Sequence, residues 1–165
     1  MDERWLSAPE QRAWRAYLRS EAMLRAHMNR QLQADSGLSL TDYDVLAHLS
    51  ETPGGRVRYF ELGEALQWEQ SRVSHQLARM ARRGLVAREC CTGDARGAFV
   101  VLTAEGRAAI ETAAPGHVAA VRAALFEGLS KDDVATLERI CGQVIARVAD
   151  ASAPPEQSRA RAAAR

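Results

Sequence analysis

No stretch of this chain is apolar for long. The longest clean apolar run is Ala98 to Leu102, far short of the roughly 18 residues a membrane span requires. The amino terminus, Met1-Asp-Glu-Arg-Trp-Leu6, carries charge and lacks the apolar core of a secretory signal, so the expected location is the cytoplasm. Cysteine is scarce: residues 90, 91 and 141 only. An odd count with two neighbours adjacent makes no disulfide framework. Lysine is nearly absent, since Lys131 is the one lysine among 22 basic residues. Enzyme signatures are missing too. There is no P-loop, no GxGxxG, no GxSxG and no HExxH. The pair Asp132-Asp133 reads as helix-cap chemistry, so neither an enzyme nor a cofactor is expected. His27, His48 and His117 show no HxxxH spacing and there is no CxxC, so no metal site is expected.

What is present suits a soluble helical domain. The 165 residues fit one compact domain with extensions. Alanine, the best helix former, occurs 31 times. The net charge of +1 hides a division. Residues 70–97 hold six arginines (72, 79, 82, 83, 88 and 96) against Glu89 and Asp94, giving +4, and the rest of the chain is at −3. A basic patch on a near-neutral protein points to a polyanion partner.

Read along its length, the chain opens with a capping box, Ser7-Ala-Pro-Glu10, and a long helix over about 8–34 that Ser36-Gly37 stops. Thr41 is the expected cap of a second helix, with Leu40 and Val45 stapled around it. Thr52-Pro-Gly-Gly55 ends that helix. Arg56-Val-Arg58 reads as a small strand, Tyr59 to Leu66 as a short helix, and Gln67-Trp-Glu69 as a turn. The helix over about 70–83 has an inner stripe of Val73, Leu77 and Met80, and Gly84-Leu85 supplies a Schellman stop. Val86–Thr92 and Ala98–Leu102 flank Gly93-Asp-Ala-Arg-Gly97 as a hairpin. Thr103 caps a helix over about 104–127 that Pro115-Gly116 is expected to kink or interrupt. The last helix starts at Ser130. Its seam of Val134, Leu137, Cys141, Val144 and Val148 suits a partner helix, with Cys141 read as core. Residues 151–165 read as a frayed tail.

Two short helices with a tight turn, the second followed at once by a hairpin, describe a winged helix-turn-helix. The fold class expected is mainly α with a small β-hairpin wing and flanking dimerisation helices. With Val73, Leu77 and Met80 inward, Ser71, Arg72, Ser74, His75, Ala78, Arg79 and Arg82 turn outward. Short Ser71 and Ser74 allow close approach to a groove edge, and Arg72 suits bidentate reading of guanine. Arg79 and Arg82 suit phosphates. Arg96, on a Gly-flanked tip, suits a minor groove. Asp94 is expected to brace Arg96 or an arginine such as Arg82 or Arg83.

The segments Tyr59-Phe-Glu-Leu-Gly-Glu-Ala-Leu66, Trp68-Glu-Gln-Ser-Arg-Val-Ser-His-Gln-Leu-Ala-Arg-Met80, Arg83-Gly-Leu-Val86 and Gly93-Asp-Ala-Arg-Gly97 resemble the MarR family of bacterial transcription regulators. The wing's Asp94-x-Arg96 followed by Leu102-Thr103 is the most specific part. The resemblance spans about residues 10–150. It implies a homodimer joined by its terminal helices, one recognition helix per half-site, and repression relieved by a small ligand. It places Ser71, Arg72, Ser74, His75 and Gln76 in the major groove and Arg96 in the minor. The implied division is an N-terminal dimerisation helix (1–35), a DNA-binding lobe (36–103), C-terminal dimerisation helices (104–150) and a tail (151–165). Trp14, Tyr17, Tyr43 and His48 are the candidate lining of a pocket for a phenolic-type effector. The partners expected are therefore double-stranded DNA, a second copy of the chain and such an effector. Two alternatives stand beside this reading: a redox- or zinc-responsive regulator using Cys90 and Cys91, and a winged-helix adaptor that binds no DNA.

Overall fold

The computed structural model describes residues 5–89 and 98–152. Among the described residues six α-helices and three short strands follow one another: α1 (Ala8–Ser36), α2 (Leu40–Glu51), β1 (Arg56–Arg58), α3 (Tyr59–Leu66), α4 (Gln70–Arg82), β2 (Val86–Glu89), β3 (Phe99–Leu102), α5 (Ala104–Val121) and α6 (Lys131–Ser152). The fold is mainly helical, with a small antiparallel sheet of order β1-β3-β2. Val57 pairs with Val100, and Val86 with Leu102. The wing tip, with Cys90, Cys91, Asp94 and Arg96, lies outside the described residues, as does the tail beyond Ser152.

Local chemistry sets the element ends. The Ser7–Glu10 capping box forms at the start of α1, and the Ser7 hydrogen bonds hold the Glu10 carboxyl below its usual range. The cap of α2 is Ser39, two residues before the expected Thr41. Ser39 Oγ accepts from Asp42 N while Asp42 Oδ2 accepts from Ser39 N, so two side chains satisfy two free donors at once. Thr41 meets the Ser39 hydroxyl instead, at 3.0 Å. At the end of α4, Leu85 N donates to Met80 O and Gly84 takes φ +73°, the expected Schellman stop. Pro115 does not interrupt α5, which runs on to Val121 before a wider turn over Arg122–Phe126. Proline forfeits one backbone bond, and the packing of α5 against α1 and α2, through buried Ile110 and Ala113, outweighs that loss.

Two compact units are present, one up to Ala124 and one from Leu125 onward. In the first, one core joins the helices to the sheet, with Leu32, Leu38, Leu46, Leu49, Leu62, Val73, Met80 and Val100 all at or below 2% exposure. Gly106 lets α5 approach the end of the recognition segment, since a Cβ there would sit 2.0 Å from Leu85 O. In the second unit, α6 is capped by Ser130 and Asp133, and those hydrogen bonds hold the Asp133 carboxyl low. It has no buried residue. Cys141, expected in a core, is exposed. The helix continues through Ala151 and Ser152, past the point where fraying was expected.

Candidate nucleic-acid interface

The helix-turn-helix is α3, a three-residue turn and α4. Gln67 adopts the left-handed conformation at φ 54°, and Trp68 N donates to Gly63 O at 2.8 Å, which reverses the chain tightly. Trp68 is half-buried against the core and lies under Arg72, whose guanidinium carbon is 4.3 Å from the ring centroid. That cation–π contact restrains Arg72 at the start of α4.

On α4, Val73, Leu77 and Met80 are buried as the periodicity requires. Ser71, Arg72, Ser74, His75, Arg79 and Arg82 are exposed. Arg72, His75, Arg79 and Arg82 border one cleft of about 540 Å³, together with Thr41, Gln76 and Ala78. Their spacing of i, i+3, i+7 and i+10 makes a single stripe of cationic and imidazole groups along the helix.

Gln76 departs from the major-groove set that the resemblance implied. It is 3% exposed, and Nε2 donates to Asp42 Oδ1 at 2.6 Å. The signal was present in the sequence: 73, 76, 77 and 80 form an i, i+3, i+4, i+7 face, on which Gln76 is an inward position. Asp42, 4% exposed, is a second residue that periodicity did not single out. Its Oδ2 accepts from Arg83 Nη1 at 2.8 Å, and Arg83 also donates to Gly37 O at 2.9 Å. Arg83 is thus braced by Asp42; the bracing role expected of Asp94 towards Arg96, Arg82 or Arg83 falls outside the described residues. One buried carboxylate ties the start of α2 to the middle and the end of α4.

The sheet extends the basic surface. Arg56 and Arg58 both lie over Phe99, at 3.5 and 5.0 Å, and Arg56 pairs with Glu89 at 3.1 Å. These contacts rigidify the sheet at the ends of β2 and β3.

The chain does not bring the four proposed pocket residues together. Trp14 and Tyr17 stack at 5.7 Å and are exposed on α1. Trp14 stands roughly 16 Å along the helix, at about 1.5 Å per residue, from Arg25, which meets Asp44 at 3.9 Å. Tyr43 packs instead on His117, with centroids 4.2 Å apart. His48 is half-buried on α2, where its carbonyl accepts from Thr52. Burial pushes the Asp44 carboxyl up against the pull of Arg25, His117 and Arg72. It pushes His117 down, against Asp44, and His117 Nδ1 is buried without a hydrogen-bond partner. Burial also raises Tyr43, aided by Glu51 and Asp44. Among the described residues no group of three His, Cys, Asp or Glu could hold a metal ion, and no helix is long and apolar enough to cross a membrane.

The arrangement has clear relatives. The model of the MarR family matches residues 36–97. The transcriptional regulator HosA of Escherichia coli O127:H6 is 32% identical over 101 residues, covering 61% of this chain and 73% of HosA. The chain belongs to the MarR family. Two solved MarR-family regulators from Streptomyces coelicolor share the architecture. AbsC superposes with a TM-score of 0.82 at 38% identity, covering 88% of this chain and 97% of AbsC. Sco3205, whose structure was solved in complex with DNA, superposes with a TM-score of 0.82 at 40% identity, covering 93% and 94%. As a MarR-family protein this chain is a winged-helix, DNA-binding transcriptional regulator, which sets aside the adaptor alternative.

Proposed function

We propose that this MarR-family regulator acts as a homodimer, and as a repressor, on a near-palindromic operator, and that a small organic effector releases it. The observation that carries the DNA-reading part is the outward face of α4. Ser71, Arg72, Ser74, His75, Arg79 and Arg82 are exposed on a helix whose opposite face is locked into the core. In this reading Ser71, Arg72, Ser74 and His75 meet base edges, Arg79 and Arg82 meet phosphates, and Arg96 enters the minor groove. A two-fold dimer sets its recognition helices about 34 Å apart, one turn of the duplex.

The dimer reading is supported by apolar side chains left open on each unit. On α1 these are Trp14, Tyr17, Leu18 and Met23, and on α6 Val134, Ile140, Val144, Ile145 and Val148. In this reading residues 36–103 are the DNA-reading lobe, and residues 1–35 and 104–150, with α1, α5 and α6, supply the dimerisation helices. The effector reading rests on the resemblance, with the Tyr43–His117 contact as the aromatic nucleus of a binding place between α2 and α5. An effector there would act by differential affinity for two spacings of the recognition helices.

Selection of bound duplexes from a random pool, followed by titration at several salt concentrations, tests the reading. The expected result is an inverted-repeat consensus bound with steep salt dependence. Arg72→Ala should weaken binding to the selected duplex by about 1–3 kcal/mol, with relaxed preference at one base pair, and leave the oligomeric state unchanged. Absence of any duplex preference at low salt would overturn it.

A further inference from the structure

Gln76 is a buried amide on α4, and reading bases does not explain it. A buried amide is costly unless all its polar atoms are matched. Asp42 fixes how it is matched. Its Oδ2 is occupied by Ser39 N at 2.9 Å and Arg83 Nη1 at 2.8 Å, and its Oδ1 receives Gln76 Nε2 at 2.6 Å. An ionised carboxylate only accepts, so the amide NH₂ must face Asp42. The amide oxygen then turns the other way, where it accepts from Thr41 Oγ1 at 3.4 Å and from Arg79 Nη2. The guanidinium so held borders the cleft that Arg72, His75 and Arg82 also line.

We propose that Gln76 is a positioning residue for Arg79: clamped by Asp42, its amide oxygen holds the Arg79 guanidinium over the cleft, ready for a backbone phosphate of bound DNA. The inference rests on the DNA-binding reading and adds to it an internal residue that never touches the duplex. The neutrality of the amide matters. A carboxylate at this position would cancel the charge of Arg79, whereas an amide oxygen restrains the side chain and leaves its full positive charge for phosphate. Asp42 performs the complementary task with Arg83, so each of the two arginines has its own acceptor.

The test is the salt dependence of binding to the selected operator duplex for the full chain. Wild type, Arg79→Ala, Gln76→Leu and the double variant are compared. Arg79→Ala should flatten the slope of log K against log[salt] by about 0.9 for each arginine that meets a phosphate, or roughly 1.8 in a two-fold dimer. Gln76→Leu should flatten it by a similar amount, and the double variant should flatten it no further. A merely structural role lowers the competent fraction equally at every salt and leaves the slope alone. Thermal melts establish folding, and Gln76→Met is read in the same way where Gln76→Leu does not fold. A wild-type slope in a folded Gln76 variant overturns the proposal, as do additive losses in the double variant or failure of both Gln76 variants to fold. A wild type that binds no duplex defeats the DNA-binding reading itself, and this proposal with it. Loss of slope in Arg79→Ala but not in Gln76→Leu defeats the positioning role alone.

Discussion

At the scale of single residues, two positions carry consequences out of proportion to their size. Gly106 has no room for a methyl group, because its Cβ would sit 2.0 Å from a backbone oxygen and 2.9 Å from Leu102 Cδ1. Backbone cannot swing aside as a side-chain end can. Gly106→Ala should therefore cost about 3 kcal/mol, read as a lowered melting temperature. His117 is the second. Burial disfavours its imidazolium in the folded state, setting its pKa below the ordinary 6.5. Above 6.5 the group is neutral folded and unfolded alike. As pH falls below 6.5 the unfolded chain takes up the proton first, so stability is lost until the folded value is passed. Asp44 runs the other way. Its raised pKa lets the folded chain take up a proton before the unfolded one does, which favours folding as pH falls towards 3.8. The melting temperature of the wild type should thus fall faster below pH 6.5 than that of His117→Gln. Parallel profiles would contradict the assignment.

At the scale of elements, α2 and α4 are fastened by hydrogen bonds as much as by apolar contact. Ser39 caps α2 and fixes Asp42, and Asp42 receives both Gln76 and Arg83. Ser39→Ala should cost about 1 kcal/mol through the cap. Asp42→Ala should cost more, about 2–3 kcal/mol, since it also strips a buried amide of its acceptor. Chemical denaturation of both variants beside wild type gives the comparison, and equal losses would show that the carboxylate is only a cap. The same network bears on DNA reading, because it sets where α4 lies against α2 before any duplex arrives.

At the scale of the molecule, the notable quantity is apolar surface without a cover. The helix α6 has 22 residues and none is buried, and Ile145 and Val148 are 69% and 60% exposed. An amphipathic helix of that kind gains its stability from a partner surface. In the homodimer reading, Ile145→Asp combined with Val148→Asp should convert dimer to monomer in analytical ultracentrifugation. Operator affinity should fall by orders of magnitude, since two linked half-sites bind far more tightly than one. A variant that remains dimeric would place the interface elsewhere.

Much of this protein was determined by its sequence alone, because the signals are local. Periodicity along residues 70–82 requires an inner stripe and an outer polar face whatever the rest of the chain does, and Gly84-Leu85 stops that helix through backbone conformation. The two hairpin strands follow from their β-forming residues and the turn residues between them. Tertiary structure decided what depends on groups distant in sequence. It gave the amide of Gln76, inward by its spacing, an acceptor on Asp42, 34 residues away. It gave Arg83 to Asp42, 41 residues distant. It carried α5 on past Pro115 to Val121, because packing against α1 and α2 outweighs one lost hydrogen bond. It placed Tyr43 on His117 and left Trp14 and Tyr17 far up α1. Spacing fixes which residues share a helix face, and only the packed chain fixes which charges and amides meet.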